Sequence, residues 1–86
     1  YVYLMKNKRN GYYKIGKSIK PKAREKTLQS EEPEIEMVFC AKKPDSVERD
    51  LHRRYRDKRL RGEWFELSKF DVKNITKALL KHEATS

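Results

Sequence analysis

Two short alternating segments joined by Asn10-Gly11 restrict this chain more than any other feature. From Tyr1 to Met5, Val2 and Leu4 fall on one side, with Tyr1, Tyr3 and Met5 on the other. After Lys8-Arg9-Asn10-Gly11 the alternation resumes from Tyr12 to Lys17. Side chains of a strand point to opposite faces in turn, and Asn-Gly accepts the positive φ of a tight reversal. The pattern predicts an antiparallel hairpin. Loops of two and of four residues give the same cross-strand parity, so Leu4 shares a face with Tyr13 and Ile15, and Tyr3 with Lys14 and Gly16. The apolar side is expected to pack on a core, leaving the Tyr3/Lys14 side free as a working surface.

The rest of the chain alternates between helix and strand signals. Pro21 suits the first turn of a helix, which runs to about Gln29 before Glu31-Glu32-Pro33 ends it. Ile35, Met37, Phe39 and Ala41 alternate with polar or smaller residues and predict a third strand. Pro44-Asp45 opens a second helix to about Tyr55, with Val47, Leu51 and Tyr55 on its buried stripe. Lys58 to Gly62 reads as a basic turn, and Glu63 to Leu67 as a short extended element. Ser68 can cap a last helix that turns Val72, Ile75 and Leu79 inward. The expected fold is a small α/β domain over residues 1–82, a three-stranded sheet flanked by helices, with residues 83–86 as a frayed tail.

Charge then limits the partner. The 86 residues include 22 Lys and Arg against 13 acidic residues, a formal net charge of +9. Such a surplus favours a polyanion, with nucleic acid first. No long apolar run or strongly amphipathic basic helix points to a membrane. The single cysteine, Cys40, permits no internal disulfide and suits a reducing, intracellular setting. It reads as an inert strand residue. No Cys/His cluster has zinc spacing. The chain starts inside an apolar alternation without an initiator methionine, which is expected of a domain from a longer protein.

Tyr1-Val2-Tyr3, Lys14-Ile15-Gly16 and Arg24 stand at intervals that resemble the GIY-YIG nuclease superfamily. In that superfamily two tripeptides lie on paired strands and an arginine on the next helix. Gly62-Glu63-Trp64-Phe65 further resembles a phage- and virus-associated branch, which often joins this module to a separate targeting domain. The resemblance implies a metal-dependent endonuclease that hydrolyses DNA. It implies Tyr3 as the base, assisted by Lys14, and Arg24 as the group that stabilises the phosphate in flight. Glu48, in Ser46-Val47-Glu48-Arg49-Asp50-Leu51-His52, best fits the carboxylate for Mg2+ or Mn2+. The chain departs from the pattern twice, with Tyr1 in place of a glycine and Lys14 in place of the second tripeptide's tyrosine. The second departure leaves a catalytically inactive nucleic-acid-binding module on the same scaffold as the alternative.

Elementary chemistry matches these roles. A free phenol with a pKa near 10 is mostly protonated at neutral pH, so a tyrosine base needs its pKa lowered, and a nearby ammonium such as Lys14 would do that. Arginine forks two donors onto phosphate oxygens. Each residue also has a plainer role: Tyr3 as a strand aromatic, Lys14 as a solvated lysine, and Arg24 as an exposed helix arginine. Glu48 can serve as the N3 carboxylate of a capping box begun by Asp45. His52, one turn beyond Glu48, is either a ligand for water or phosphate near the metal or a surface histidine. Glu63 is the alternative carboxylate, expected to make a local structural contact beside Trp64 and Phe65. Lys17, Lys20, Lys22, Arg53 and Arg56 are the candidate DNA contacts within a wider basic surface, of a kind that reads phosphate rather than sequence.

Overall fold

The computed structural model describes residues 1–81. The expected tail, residues 83–86, lies outside the described residues. The hairpin forms as its pattern demands, with β1 over Val2–Asn7 and β2 over Tyr13–Lys17. Asn7 and Tyr12 close a four-residue loop, with the Asn7 N–H donating to the Tyr12 carbonyl at 2.9 Å. Tyr3 stands opposite Gly16, Leu4 opposite Ile15 and Met5 opposite Lys14, so the expected parity holds.

Helix α1 (Pro21–Glu31) leads to β3 (Ile35–Ala41), and α2 (Asp45–Arg54) follows. A 3-10 turn at Arg56–Lys58 leads into β4 (Arg59–Arg61), β5 (Trp64–Phe65) and α3 (Lys69–Leu80). The sheet is antiparallel and has five strands in the order β3-β1-β2-β5-β4, two more than expected. The extra strand β4 comes from the segment read as a basic turn. Arg59, Leu60 and Arg61 are all exposed, so no burial alternation marks them. Pairing with β5 across a turn at Gly62 (φ 55°) makes them a strand.

Both sheet faces are covered, which corrects the expectation of a free Tyr3 side. Val2, Leu4, Ile15 and Phe65 meet Leu51 and Tyr55 of α2 and Ile75 and Leu79 of α3. On the other face Tyr3, Met5 and Ile35 pack with Leu28 of α1 and with Trp64. Central strand β1 therefore buries every side chain from Val2 to Met5. Helix α1 gave no sign of this cover, because Ala23 and Leu28 are its only apolar side chains after Pro21. Polar groups fasten it instead. Glu25 accepts the Met37 N–H at 2.7 Å, and Gln29 donates to the Ile35 carbonyl at 2.8 Å. These bonds occupy backbone groups on the outer edge of β3 that would otherwise offer a pairing template.

A bulge resolves the third strand. The register of β3 on β1 shifts between Leu4 and Met5, where Phe39 and Met37 are successive partners and Val38 is the extra residue. One inserted residue reverses parity. Ile35 and Met37 thus join the Tyr3 face, while Phe39 and Ala41 join the opposite one.

Helix α3 starts with a capping box in which Ser68 accepts the Asp71 N–H and Asp71 accepts the Ser68 N–H, both at 3.0 Å. Lys58 also donates to Asp71, and this bond, ahead of that from Ser68, holds the carboxyl below its usual 3.8. A carboxyl depressed on folding stabilises the protein above its unfolded pKa and stops doing so as pH falls through the folded value. Asp71→Ala should cost about 1 kcal/mol at neutral pH. Its deficit in thermal melts should shrink as pH drops from about 6 to about 2. A deficit that stayed constant over that range would mean that the carboxylate's charge is not what stabilises the helix start.

Candidate active site

The candidate residues meet where β2 runs out of a neighbour. Strand β5 pairs only Tyr13 with Phe65 and Lys14 with Trp64. The Ile15 N–H still reaches the Glu63 carbonyl at 3.0 Å, but the chain then turns away through Gly62. In a continuing ladder the Ile15 carbonyl would take a strand N–H. Here Nε2 of His52, from α2, lies 2.8 Å from it. Through this gap α2, from one face of the sheet, and α1, from the other, approach the same hydroxyl.

That hydroxyl belongs to Tyr3, whose side chain is 1% exposed. Burial is the largest influence on it and raises its pKa. The Arg24 guanidinium hydrogen-bonds the phenol and pulls the pKa down, while the negative charges of Glu63 and, more weakly, Glu48 push it up. The net direction is upward, opposite to the lowering expected from Lys14. Burial is the main reason, and the lysine that was expected to oppose it is taken up by a carboxylate. Lys14 Nζ sits 3.0 Å from Glu63 Oε1 and 5.5 Å from the centre of the Trp64 ring. Its charge is balanced locally, and the carboxylate that balances it also acts on Tyr3.

Gly16 allows this packing. A Cβ there would lie 2.5 Å from the Tyr3 hydroxyl oxygen, 2.6 Å from its Cζ and 2.9 Å from Glu63 Oε1. Contacts this short cannot be relieved by a fully buried ring without moving it. Gly16→Ala should therefore destabilise the domain by about 1–3 kcal/mol, the usual range for overpacking, and should displace the phenol. A chemical melt of the variant measures the cost, and unchanged stability would mean that Tyr3 is not held where the strand pairing puts it.

Glu48 is buried on α2 at 7% exposure. Its capping role is ruled out by the helix start: Pro44 is the N-cap, with no side-chain hydrogen bond, and Glu48 lies in the second half of the first turn. Glu48 Oε2 instead lies 3.3 Å from Nε2 of His52. That nitrogen faces two acceptors, the Glu48 carboxylate and the Ile15 carbonyl, so it carries the proton. The ring also stands edge-on to Phe65 at 4.9 Å and 84°. His52 is thus turned toward orienting Glu48, with Nε2 committed as a donor.

Glu63 is the functional candidate that sequence reasoning set aside. Its side chain joins Lys14 and Tyr3, although its neighbours Trp64 and Phe65 do close packing clusters. The pairing that puts Trp64 opposite Lys14, and with it Glu63 against the end of β2, joins strands fifty residues apart and leaves no mark in the local sequence. Among the basic residues, Lys17, Lys20 and Lys22 are exposed along the β2–α1 connection that leads to Arg24. Lys17 pairs with Asp45 at 3.3 Å. Arg53 pairs with Asp50 on its own helix at 3.8 Å, and Arg56 is exposed on the following turn, so neither belongs to the Tyr3 group.

Among the described residues no three His, Cys, Asp or Glu side chains converge as a ready-made metal cage. The donor set is one buried, histidine-oriented carboxylate, with a second at Glu63. That suits Mg2+, which keeps several waters and takes one or two carboxylates plus substrate phosphate, better than zinc.

A family model, the T5orf172 domain, matches residues 1–80. The chain belongs to the T5orf172 domain family. This domain is phage-associated and linked to nuclease-like or DNA-binding function. No curated protein and no solved structure matches the chain. The match spans every element that contributes to the Tyr3 group, from β1 through β5. A T5orf172 domain with a net charge of +9 is suited to nucleic acid. Among its described residues no helix is long and apolar enough to cross a membrane.

Proposed function

We propose that this domain is a GIY-YIG-type endonuclease that hydrolyses DNA phosphodiester bonds with a divalent cation, Mg2+ or Mn2+. The observation that carries this reading is the convergence of Tyr3, Arg24 and Glu48, from β1, α1 and α2, at the open end of β2. Residues so far apart in sequence meet there with the three kinds of group that phosphodiester hydrolysis needs: a proton acceptor, a phosphate clamp and a cation-holding carboxylate.

Glu48, oriented by His52, would hold the cation, which when bound supplies charge compensation for the departing 3′-oxygen. Arg24 is exposed on α1 and forks onto the non-bridging oxygens as negative charge grows there. Tyr3 takes the proton of the attacking water as phenolate. Lys14 holds Glu63 in place beside Tyr3. Because Tyr3 has a raised pKa, only a small fraction is phenolate near neutrality. Below that pKa the fraction grows about tenfold per pH unit.

Plasmid incubated with Mg2+, Mn2+ or EDTA tests the proposal. Nicking or cutting should need the metal, rise with pH from roughly 6.5 to roughly 9, and be lost in Tyr3→Phe. A flat pH profile in an active enzyme would remove Tyr3 as the base. Tight DNA binding with no cutting in any metal would favour the non-catalytic module, a reading that the Lys14–Glu63 pair in place of a second tyrosine specifically supports.

A further inference from the structure

A cleft borders the Tyr3 group and has no part in the chemistry above. It lies between the β1–β2 loop, the C-terminal end of α1 and the β4–β5 hairpin, with a volume of about 440 Å³. That is within the range of small-ligand pockets. Tyr12 and Trp64 supply two aromatic rings, and Leu28 and Leu60 line it as well. Trp64 belongs to the same packing cluster as Tyr3 and lies under the Lys14 ammonium, so the cleft and the candidate active site share a wall.

We infer that this cleft holds one unstacked nucleobase beside the phosphodiester being cut, and favours bases that carry an exocyclic amino group. The inference rests on the reading that the domain engages DNA. Aromatic rings are general platforms for bases freed from the stack. The polar lining then sets the preference. Asn7 and Asn10 each spend their carbonyl oxygen on a backbone N–H, of Arg9 and Tyr12 respectively, both at 2.9 Å. Glu32 is engaged by Arg9 at 2.7 Å. Glu31 has no ion-pair or hydrogen-bond partner among the described residues, and is left as an open acceptor. A carboxylate accepts from the amino groups of adenine, cytosine and guanine. Thymine offers it two carbonyl oxygens flanking a single N–H, a poorer match. Arg61 lines the β4 side of the cleft, opposite in charge to the α1 end, and this polarity directs the nucleotide's phosphate away from Glu31.

Trp64 is the only tryptophan, so selectively excited tryptophan emission reports the wall that this cleft shares with the candidate site, and the abasic strand separates base occupancy from backbone binding. The test is done in EDTA, where cleavage plays no part, with single-stranded oligonucleotides of cytosine, adenine or thymine and with an abasic oligonucleotide of equal length. Binding is read by anisotropy of end-labelled strands and occupancy by quenching of Trp64 with unlabelled ones. Cytosine and adenine strands should quench and should bind about 5-fold or more tighter than the abasic strand, with thymine between. Glu31→Gln changes an exposed residue and should erase the difference between cytosine and thymine. Tyr12→Leu, checked for fold by thermal melt, should bring base-bearing strands down toward the abasic strand. Binding of all strands alike without quenching overturns the base pocket and leaves the nuclease reading standing. No binding of any strand or of plasmid overturns both.

Discussion

Glu48→Gln should leave the domain folded and bring cleavage to the level of wild type in EDTA. The amide oxygen can still accept from Nε2 of His52, so the buried position keeps its hydrogen bond. What is lost is the charge that holds a hard cation. The loss should exceed the roughly 10–100-fold that removing an outer-shell partner costs. One effect runs the other way. Glu48 is the weakest of the influences that raise the Tyr3 pKa, so its removal slightly favours phenolate. That gain is too small to offset the missing cation. Glu63→Gln is the informative companion. It frees Lys14 and removes a stronger upward influence on Tyr3, so its pH–rate profile should move to lower pH while metal dependence persists. Single-turnover cleavage and thermal melts of both variants decide the matter. Full activity in folded Glu48→Gln, with loss in folded Glu63→Gln, would exchange the two assignments.

Arg24→Ala should lose on the order of 100-fold or more in the chemical step, as when one donor to a developing oxyanion is removed. Two losses combine. The phosphate loses its forked partner, and Tyr3 loses the hydrogen bond that most lowers its pKa. Stability should fall by about 1–3 kcal/mol at most, because Arg24 is itself exposed but its loss takes a hydrogen-bond partner from the buried Tyr3 hydroxyl. DNA affinity should fall little, since this is one of 22 basic side chains. Arg24→Lys should recover only part of the rate, because an ammonium supplies charge without the fork. A near-normal single-turnover rate in Arg24→Ala would take the arginine out of the site.

Local pattern carried much of the fold. The Asn10-Gly11 turn and the parity of Tyr3 against Lys14 and Gly16 follow from strand alternation, and the register obeys them. The cap at Ser68 and the stripe of Leu51 and Tyr55 were equally readable. What escaped depends on contacts distant in sequence. Nothing in Arg59-Leu60-Arg61 marks a strand until β5 lies beside it. The bulge at Val38 appears only against β1, and the cover over Tyr3 comes from a helix fastened by Glu25 and Gln29 rather than by an apolar stripe. The candidate site divides similarly. Tyr3, Arg24 and Glu48 stand out by spacing and resemblance, whereas the engagement of Glu63 with Lys14 and the orientation of His52 are products of the gap at the end of β2.

That gap also ties the chemistry to the cooperativity of folding. Strands β1, β2 and the β5 approach, with helices α1 and α2, each deliver one or two members, and Tyr3 and Glu63 are sixty residues apart. Single elements hold only parts of it, Tyr3 and Lys14 on one face of the hairpin and Glu48 beside His52 on α2, and none assembles the whole group. The phenol, guanidinium and carboxylates come within reach of one another only after the longest-range contacts of the chain have formed, so a nascent or partly unfolded domain carries the basic surface without the assembled Tyr3 group.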